Sequence, residues 1–210
     1  MKSSGSHWDA IFNRTEDYSL GWYEKDASKT MSFLNKIPEW EHSAILVPGA
    51  GTSVLIEALL SKGAHLVLND ISQEALNKLK TRLRDKGEHI KWLCQDIALE
   101  FKEKMPDIDI WIDRAVLHFL TSEEDINGYF TNVRKTVRAG GHALFAEFSM
   151  SGAPKCAGLT LHRYSVEELS QRLGNEFVII AQEDYIYINP RGETRPYLYA
   201  LYKRANDRIG

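Results

Sequence analysis

The sequence predicts an α/β fold: one doubly wound sheet of seven strands, mostly parallel, with a C-terminal antiparallel β-hairpin and an N-terminal helical cap. Apolar, β-rich stretches alternate with amphipathic helical patterns through the first five strands, which is typical of a parallel sheet covered by helices on both faces. The last two strands are separated only by the segment NPRGET, and such a short Pro/Gly connection predicts a hairpin.

The individual elements follow from the residue pattern. Strands are predicted at about 44–48, 65–69, 90–94, 108–113, 142–149, 177–187 and 196–203. Helices are predicted at about 7–13, 27–36, 53–62, 73–85 and 123–137, with a further helix after Ser165. Ser72, Ser122 and Ser165 are the expected N-cap residues. Because 210 residues suit one domain, we expect residues 1–43 to cap a core formed by residues 44–210.

Composition narrows the classes of function. The 43% hydrophobic and 26% charged fractions are those of an ordinary globular protein, without the roughly 18 consecutive apolar residues that span a bilayer. The segment MKSSGSHWDA has no secretory pattern, so we expect a cytoplasmic protein. A net charge of −3 without a basic block argues against nucleic acid, and Cys94 and Cys156 are expected as reduced thiols without metal-ligand spacing. A small molecule is the expected partner, and a monomer or weak homodimer the expected assembly.

The segment AILVPGAGTSVLIEALLSKGAHLVLND, residues 44–70, predicts a ligand site at the end of the first strand. Gly49 and Gly51 permit positive φ and close approach of a ligand to the backbone. Ser53 and Val54 occupy the region where a dinucleotide fingerprint would have its third glycine. The loop therefore lacks the full pattern that cradles a pyrophosphate.

Two carboxylates at the next strand ends complete this prediction. Asp70 lies 19 residues after Gly51, where it can accept hydrogen bonds from vicinal ribose hydroxyls; its alternative role is to precede the helix capped by Ser72. Asp96 follows the third strand, where an adenine amino group would lie, and Ile71 and Ile97 offer apolar faces for the ring. The sequence thus predicts an adenosine pocket without a phosphate cradle.

The order of these motifs resembles the class I S-adenosylmethionine-dependent methyltransferases over nearly the whole chain. The motifs are LVPGAGTS, LVLNDIS, WLCQDI, DIWIDRAVLHFL and RKTVRAGGHALFAEF. The resemblance implies a Rossmann-like fold, S-adenosylmethionine as cofactor and S-adenosylhomocysteine as product. Val47 departs from the acid that most of the superfamily carries there. Pro48, together with WIDRA and GWYE, is similar to the thiopurine and small-thiol methyltransferase branch.

The resemblance also implies the residues of the cofactor site. These are Trp22, Tyr23, Pro48, Gly49, Ala50, Gly51, Asp70, Ile71, Asp96, Ile97 and Asp113. Trp22 and Tyr23 form either part of a lid or packing anchors. Asp113 would contact the amino end of the cofactor, or else pair with Arg114 only to shape the loop.

The acceptor end is expected beyond the fourth strand. Arg114 would hold an anionic substrate or stabilise a thiolate, and His118 either acts as general base or packs beneath the loop. Tyr23, Arg163 and Tyr164 are further candidates for binding the acceptor. Cys156 is either a soft-ligand contact or an inert packed thiol, and Arg191 and Arg195 either add positive charge near the mouth of the site or are only solvated.

A small molecule with a soft nucleophile, such as a thiol, is the favoured acceptor, since a thiol needs little help to lose its proton. The alternatives are protein lysine methylation, a dehydrogenase, and a non-catalytic cofactor-binding scaffold.

Overall fold

The computed structural model describes residues 3–206 and contains the predicted seven-stranded sheet. Its strands are β1 (Ala44–Val47), β2 (His65–Asp70), β3 (Lys91–Cys94), β4 (Ile108–Arg114), β5 (Val137–Phe148), β8 (Phe177–Ile188) and β9 (Thr194–Arg204). A separate two-stranded sheet consists of β6 (Lys155–Cys156) and β7 (Leu159–Thr160). The strand order of the large sheet is β3-β2-β1-β4-β5-β9-β8, and only β9 runs antiparallel to its neighbours.

Six α-helices lie in the described part of the chain. They are α1 (Gly5–Arg14), α2 (Ser28–Leu34), α3 (Leu55–Ser61), α4 (Gln73–Leu83), α5 (Glu123–Thr136) and α6 (Val166–Leu173). The three predicted serine caps are confirmed, since each hydroxyl accepts a backbone N–H three residues later. None of the helices within residues 3–206 is long and apolar enough to cross a bilayer.

The strand order places the predicted loops together. β1 lies between β2 and β4, and the chain crosses to opposite sides of β1 to reach them. In such a sheet, ligands bind beyond the carboxyl ends of the strands where the winding direction reverses. The segments after β1, β2, β3 and β4 therefore meet at one edge.

Both faces of the sheet are buried, which explains the continuous apolar runs of the central strands. Ile45 and Val47 of β1 belong to one core cluster, which also contains α3 residues such as Ile56 and Leu59. Leu46, pointing to the other face, belongs to a second cluster with α5 residues such as Phe130. This double burial holds β1 in the interior of the sheet, and with it the start of the loop that follows.

The N-terminal helix α1 is fastened to the start of α4. Oδ1 of Asp9 accepts hydrogen bonds from the Ser72 hydroxyl at 2.6 Å and from the Glu74 amide at 3.1 Å. Trp8 and Phe12 are buried with Leu20 in a third cluster beside this junction. The packing brings the segment after α1 over the carboxyl edge of the sheet.

Two stretches differ from the sequence prediction. β5 begins at Val137 rather than near residue 142, because Val137 already pairs with Ile108 and an irregularity in the pairing accommodates the following glycines. Residues 150–164, for which the sequence predicts no helix or strand, contain the β6–β7 hairpin. Its turn residues Ala157 and Gly158 both have positive φ, as a type I′ turn requires, but Ala157 gives no sequence signal for it.

Candidate functional site

The loop after β1 uses both of its glycines in the left-handed region. Gly49 and Gly51 each have a φ of 51°. A Cβ at Gly49 would lie 2.2 Å from Cγ2 of Val116, so the β1 loop and the β4 loop touch there. The end of the loop is held by Arg82 of α4, which donates to the carbonyls of Thr52 at 2.9 Å and Ser53 at 3.0 Å. No motif in the sequence indicates this role for Arg82.

Asp70, at the end of β2, is bonded to the glycine loop. Its Oδ2 accepts the Gly51 amide at 2.8 Å and its Oδ1 accepts the Ser72 amide at 2.8 Å. Burial raises the pKa of Asp70 to about 6, although these two amides act in the opposite direction. Asp70 thus braces the start of α4, as its alternative role requires, and it also lines a cavity, while its contact with ribose stays a prediction.

The segment after β3 is positioned by its neighbours on both sides. Asn69 of β2 donates from Nδ2 to the carbonyls of Leu93 and Gln95. Asn132 of α5 donates to the carbonyl of Ile97 at 2.8 Å. Asp96 braces its own turn, because its Oδ1 accepts the amide of Ala98 at 2.9 Å. Asp96 and Ile97 are therefore held in place on the same cavity wall.

The cavity measures about 1270 Å³ when the part open to solvent is included. It lies at the carboxyl edge, where the loops after β1, β2, β3 and β4 meet. Its lining includes eleven of the predicted site residues: Trp22, Tyr23, Pro48, Gly49, Ala50, Gly51, Asp70, Ile71, Asp96, Ile97 and Arg114. Trp8 and Phe119, which were not predicted from the sequence, close one side of the cavity together with Trp22. Trp8 lies edge-on to Trp22 at 5.5 Å and to Phe119 at 4.8 Å.

Arg114 joins the end of β4 to the segment that follows α1. Its Nη1 donates to the Trp22 carbonyl at 2.9 Å, and its Nε lies 2.8 Å from Oε2 of Glu24. The guanidinium also lies over the rings of Tyr187 and Tyr197. Burial raises the pKa of Glu24, while the charge of Arg114 lowers it. Arg114 and Glu24 form a largely buried ion pair that lines the cavity.

Glu24 was not selected from the sequence, although the GWYE segment contains it. A carboxylate beside two aromatic residues in a loop was the available signal. Only its contact with Arg114, 90 positions later in the chain, places it in the cavity.

Asp113 lies beneath the cavity and not in its lining, so its predicted contact with the cofactor does not fit the structure. The side chain is fully buried. Oδ1 accepts the Val116 amide, and Oδ2 accepts the Leu117 amide and, at 2.5 Å, the Tyr129 hydroxyl. Burial and the nearby Glu147 raise the pKa of Asp113 well above its usual range. Asp113 therefore shapes the loop, which is the alternative role the sequence allowed, although it does so without pairing with Arg114.

His118 is also buried beneath the loop. Its Nδ1 lies 2.6 Å from Oε2 of Glu147, and its ring packs between Phe119 and Phe148. Burial lowers the pKa of His118 to about 3, so the imidazole is neutral at physiological pH. This position does not fit a general base that meets a ligand in the cavity, and it does fit the packing alternative.

The two remaining candidates for acceptor binding lie elsewhere. Arg163 donates to the carbonyls of Met150 and Gly152, which closes its own loop. Tyr164 is fully buried in the cluster on the α5 face of the sheet. Neither side chain lines the cavity, because the stretch that carries them folds back along β5, where the Tyr164 amide donates to the Phe148 carbonyl.

We expect the pH dependence of any reaction in this cavity to be independent of His118. His118→Asn retains a side-chain donor near Nδ1, so the rate will fall only through loosening of the loop, and the shape of the profile between pH 5 and 9 will be unchanged. The measurement is kcat/KM against pH, with His162→Asn as a control at a histidine outside the cavity. An inflection near neutrality that disappears only in the His118 variant would restore His118 as the base.

Comparisons with known proteins agree with this geometry. Residues 46–143 match the family described as "Methyltransferase domain", a segment that includes the glycine loop, Asp70, Asp96 and Arg114. No curated protein matches the chain significantly.

Solved structures resemble the chain along most of its length. The N-methyltransferase NodS from Bradyrhizobium japonicum WM9, in complex with S-adenosylhomocysteine, gives a TM-score of 0.72 at 15% identity, covering 96% of this chain and 99% of NodS. The 1,6-didemethyltoxoflavin-N1-methyltransferase of Burkholderia thailandensis gives 0.67 at 17% identity, covering 96% and 84%. A protein studied for conversion of a disulfide bond into a thioacetal group during echinomycin biosynthesis gives 0.73 at 15% identity, covering 98% and 93%.

At these identities the structural likeness establishes the fold, and the sequence match shows what residues 46–143 are similar to. The predicted similarity to the thiopurine and small-thiol branch is a narrower statement and stays a prediction. The chain has the fold of the class I S-adenosylmethionine-dependent methyltransferases, and its residues 46–143 are similar to the methyltransferase domain family.

Proposed function

We propose that this protein transfers a methyl group from S-adenosylmethionine to a small molecule. The observation that carries the proposal is the cavity in which the glycine loop, Asp70 and Asp96 follow three adjacent strands. The loop would present the backbone of two glycines to a ligand, but it lacks the third glycine of a pyrophosphate-binding turn. That combination suits a nucleoside cofactor without phosphate and disfavours a dehydrogenase.

The residues present fit such a cofactor. Asp70 is a buried carboxylate beside the glycine loop, suited to accept hydrogen bonds from ribose hydroxyls. Asp96 and Ile97 are suited to the adenine ring, and Gly49 to Gly51 to the amino-acid end. The adenine, ribose and amino-acid parts of the cofactor would then lie at the ends of β3, β2 and β1, in that order. The methyl group would therefore face the next strand, β4, and Arg114. When bound, the cofactor supplies a methyl group activated on a sulfonium.

The protein contributes alignment and exclusion of water. Holding two reactants in line can contribute roughly 7–11 kcal/mol to lowering a barrier. Trp8, Trp22 and Phe119 form an apolar wall at the cavity, and the ion pair between Arg114 and Glu24 holds the segment that carries Trp22. We propose that Trp22 and Tyr23 cover the cofactor and that Tyr23 and Arg114 contact the acceptor.

A soft nucleophile such as a thiol is our proposal for the acceptor. His118 is buried and neutral, so it offers no base to an acceptor with a high pKa. A thiol, with a reference pKa of about 8.5, needs less help than a lysine ammonium near 10.4. This difference favours a thiol over protein lysine methylation. Retention of Asp70, Asp96 and Arg114 in the cavity weighs against a scaffold without catalytic activity.

A transfer screen with cofactor labelled on the methyl group tests the proposal. The chain is incubated with thiols, amines, carboxylic acids and a protein extract, and label in each fraction is counted. We expect label in small thiols. Transfer only into extract protein would overturn the small-molecule acceptor, and tighter binding of NAD than of S-adenosylhomocysteine in calorimetry would overturn the cofactor.

Cofactor binding is expected to weaken in acid because ribose hydroxyls donate to the ionised form of Asp70. Its pKa of about 6 in the free protein means that affinity will fall below pH 6, by up to about tenfold per pH unit. Folding raises the pKa of Asp70 above its ordinary value of 3.8. Protonation of Asp70 therefore does not destabilise the folded state as the pH falls.

The measurement is calorimetric titration of S-adenosylhomocysteine between pH 5 and 8, with circular dichroism to verify folding. Asp70→Asn should bind more weakly by roughly 1–3 kcal/mol and show no such pH dependence. Equal affinity of both proteins throughout would return Asp70 to a purely structural role.

A further inference from the structure

A second cavity lies beside the first and is unexplained by the proposed reaction. It measures about 940 Å³ with its open part included. Its walls come from the end of α1, the segment 19–22, the β6–β7 hairpin and the turn between β8 and β9. The hairpin belongs to the long stretch after β5, and the turn is the RGETR segment whose role the sequence left open.

The cavity carries an excess of positive charge. Lys155, Arg191 and Arg195 line it, against the single carboxylate of Glu193. Glu193 is bonded to Arg195 and to Nδ2 of Asn189, so one cation is already neutralised. Within residues 3–206, neither Lys155 nor Arg191 forms an ion pair. Two unpaired cations thus face one cleft in a chain whose net charge is −3.

The turn that carries Arg191 is ordered by hydrogen bonds to a buried side chain. Asn189 is 4% exposed, and its Oδ1 accepts the amides of Arg191 at 3.0 Å and Glu193 at 2.9 Å. In the hairpin, Cys156 lies within electrostatic reach of both Arg191 and Arg195, which lower the pKa of its thiol against the larger effect of burial. The turn and the hairpin therefore both line the cleft.

Leu20 and Trp22 separate the two cavities, because both residues line each of them. Leu20 is packed with Trp8, Phe12 and Leu159 of the hairpin, and Trp22 is held by Arg114. A molecule lying across Leu20 and Trp22 would reach the methyl-transfer end of the first cavity and the cations of the second.

We propose that the second cavity binds an anionic oxygen group, a carboxylate or phosphate, carried by the methyl acceptor at the end remote from its nucleophile. The proposal rests on the proposed function. Arg114 is already paired with Glu24, which leaves Lys155 and Arg191 as the cations open to a charged acceptor. Recognition at a distance lets binding of the remote group position the nucleophile.

A series of mercaptoalkanoates, from 3-mercaptopropionate to 11-mercaptoundecanoate, tests this with the corresponding amides as neutral acceptors. We expect kcat/KM to favour the acid over its amide at the chain length that spans Leu20 and Trp22. In the double variant Lys155→Gln/Arg191→Gln, this preference should fall by about 3- to 10-fold while transfer to the amide is unchanged. A double variant with the same charge change at exposed sites, Lys62→Gln/Lys86→Gln, should keep the preference.

Binding measurements, made without methyl transfer, distinguish a failure of the proposed function from a failure of this inference. S-adenosylhomocysteine is titrated first, and its failure to bind would overturn the proposed function. The S-methylated form of the best acid is then titrated into the loaded protein, where we expect weaker binding to the Lys155/Arg191 variant only.

Inorganic phosphate distinguishes a group on the acceptor from a free anion. It should compete with the acid acceptor and leave the amide acceptor unaffected. Equal effects of phosphate on acid and amide, or the same acid preference in both double variants, would overturn the inference.

Discussion

Replacing Gly49 with alanine is expected to lower the free energy of unfolding by roughly 2–5 kcal/mol and to abolish measurable cofactor binding. A left-handed φ costs a residue with a Cβ about 1–2 kcal/mol. The new methyl group would also lie 2.2 Å from Cγ2 of Val116, and overpacking of this kind costs about 1–3 kcal/mol. Val116 lines the cavity, so relief of the clash changes a wall of the proposed cofactor site. Urea unfolding and calorimetric titration of S-adenosylmethionine measure both effects.

Gly63→Ala is the matched control. Gly63 also has a positive φ, of 88°, but its Cβ would make only an ordinary contact, 3.6 Å from Nδ1 of His42. The control should therefore show the backbone cost of about 1–2 kcal/mol and normal cofactor affinity. If Gly49→Ala matched the control in both measurements, the close approach of the β1 and β4 loops would have no energetic importance.

Removal of the Asp113 side chain is expected to be the most destabilising single change in the β4 loop. Asp113→Ala leaves the amides of Val116 and Leu117 and the Tyr129 hydroxyl without their acceptor in a buried site. Disruption of a buried network of this kind costs roughly 3–5 kcal/mol. Affinity for the cofactor should fall as well, because the same loop carries Ala115, Val116 and Phe119 into the cavity wall.

Two further variants keep this prediction testable if the alanine variant does not fold. Asp113→Asn retains one carbonyl acceptor without charge and should lose roughly 1–3 kcal/mol, since the raised pKa of Asp113 shows that ionisation is already disfavoured there. Asp107→Ala changes an exposed carboxylate just before the same strand and should be nearly neutral. A loss below 1 kcal/mol in both Asp113 variants, measured by urea unfolding, would contradict the proposed bracing of the loop.

Local pattern determined the sheet and the glycine loop. Runs such as Ile45 to Val47 could be recognised as strands because burial on both faces favours apolar residues at successive positions of a parallel strand. The serine caps could be recognised because a hydroxyl bonds an amide only three residues away. The position of Asp70 beside the glycine loop also followed from sequence order, since adjacent parallel strands bring their carboxyl ends together.

The conformation of the β6–β7 hairpin could not be predicted from the sequence and is known only from the folded structure. The β6–β7 turn depends on positive φ at Ala157, a residue type that rarely adopts it. Packing of Leu159 against Leu20 and Trp8 supplies support that no local pattern reveals.

Tertiary structure alone decided which polar residues at the end of β4 face the cavity. Successive side chains of a strand point to opposite faces, so adjacent Asp113 and Arg114 could not both reach the same ligand. The sequence does not specify which one does, because both faces of this sheet are covered. Pairing with β5 turns Asp113 and His118 toward the buried Glu147, and the segment after α1 brings Glu24 to Arg114. The sequence by itself determined the fold and the meeting of the glycine loop, Asp70 and Asp96 at one edge of the sheet, whereas the arrangement at the end of β4 depends on contacts between segments far apart in the chain.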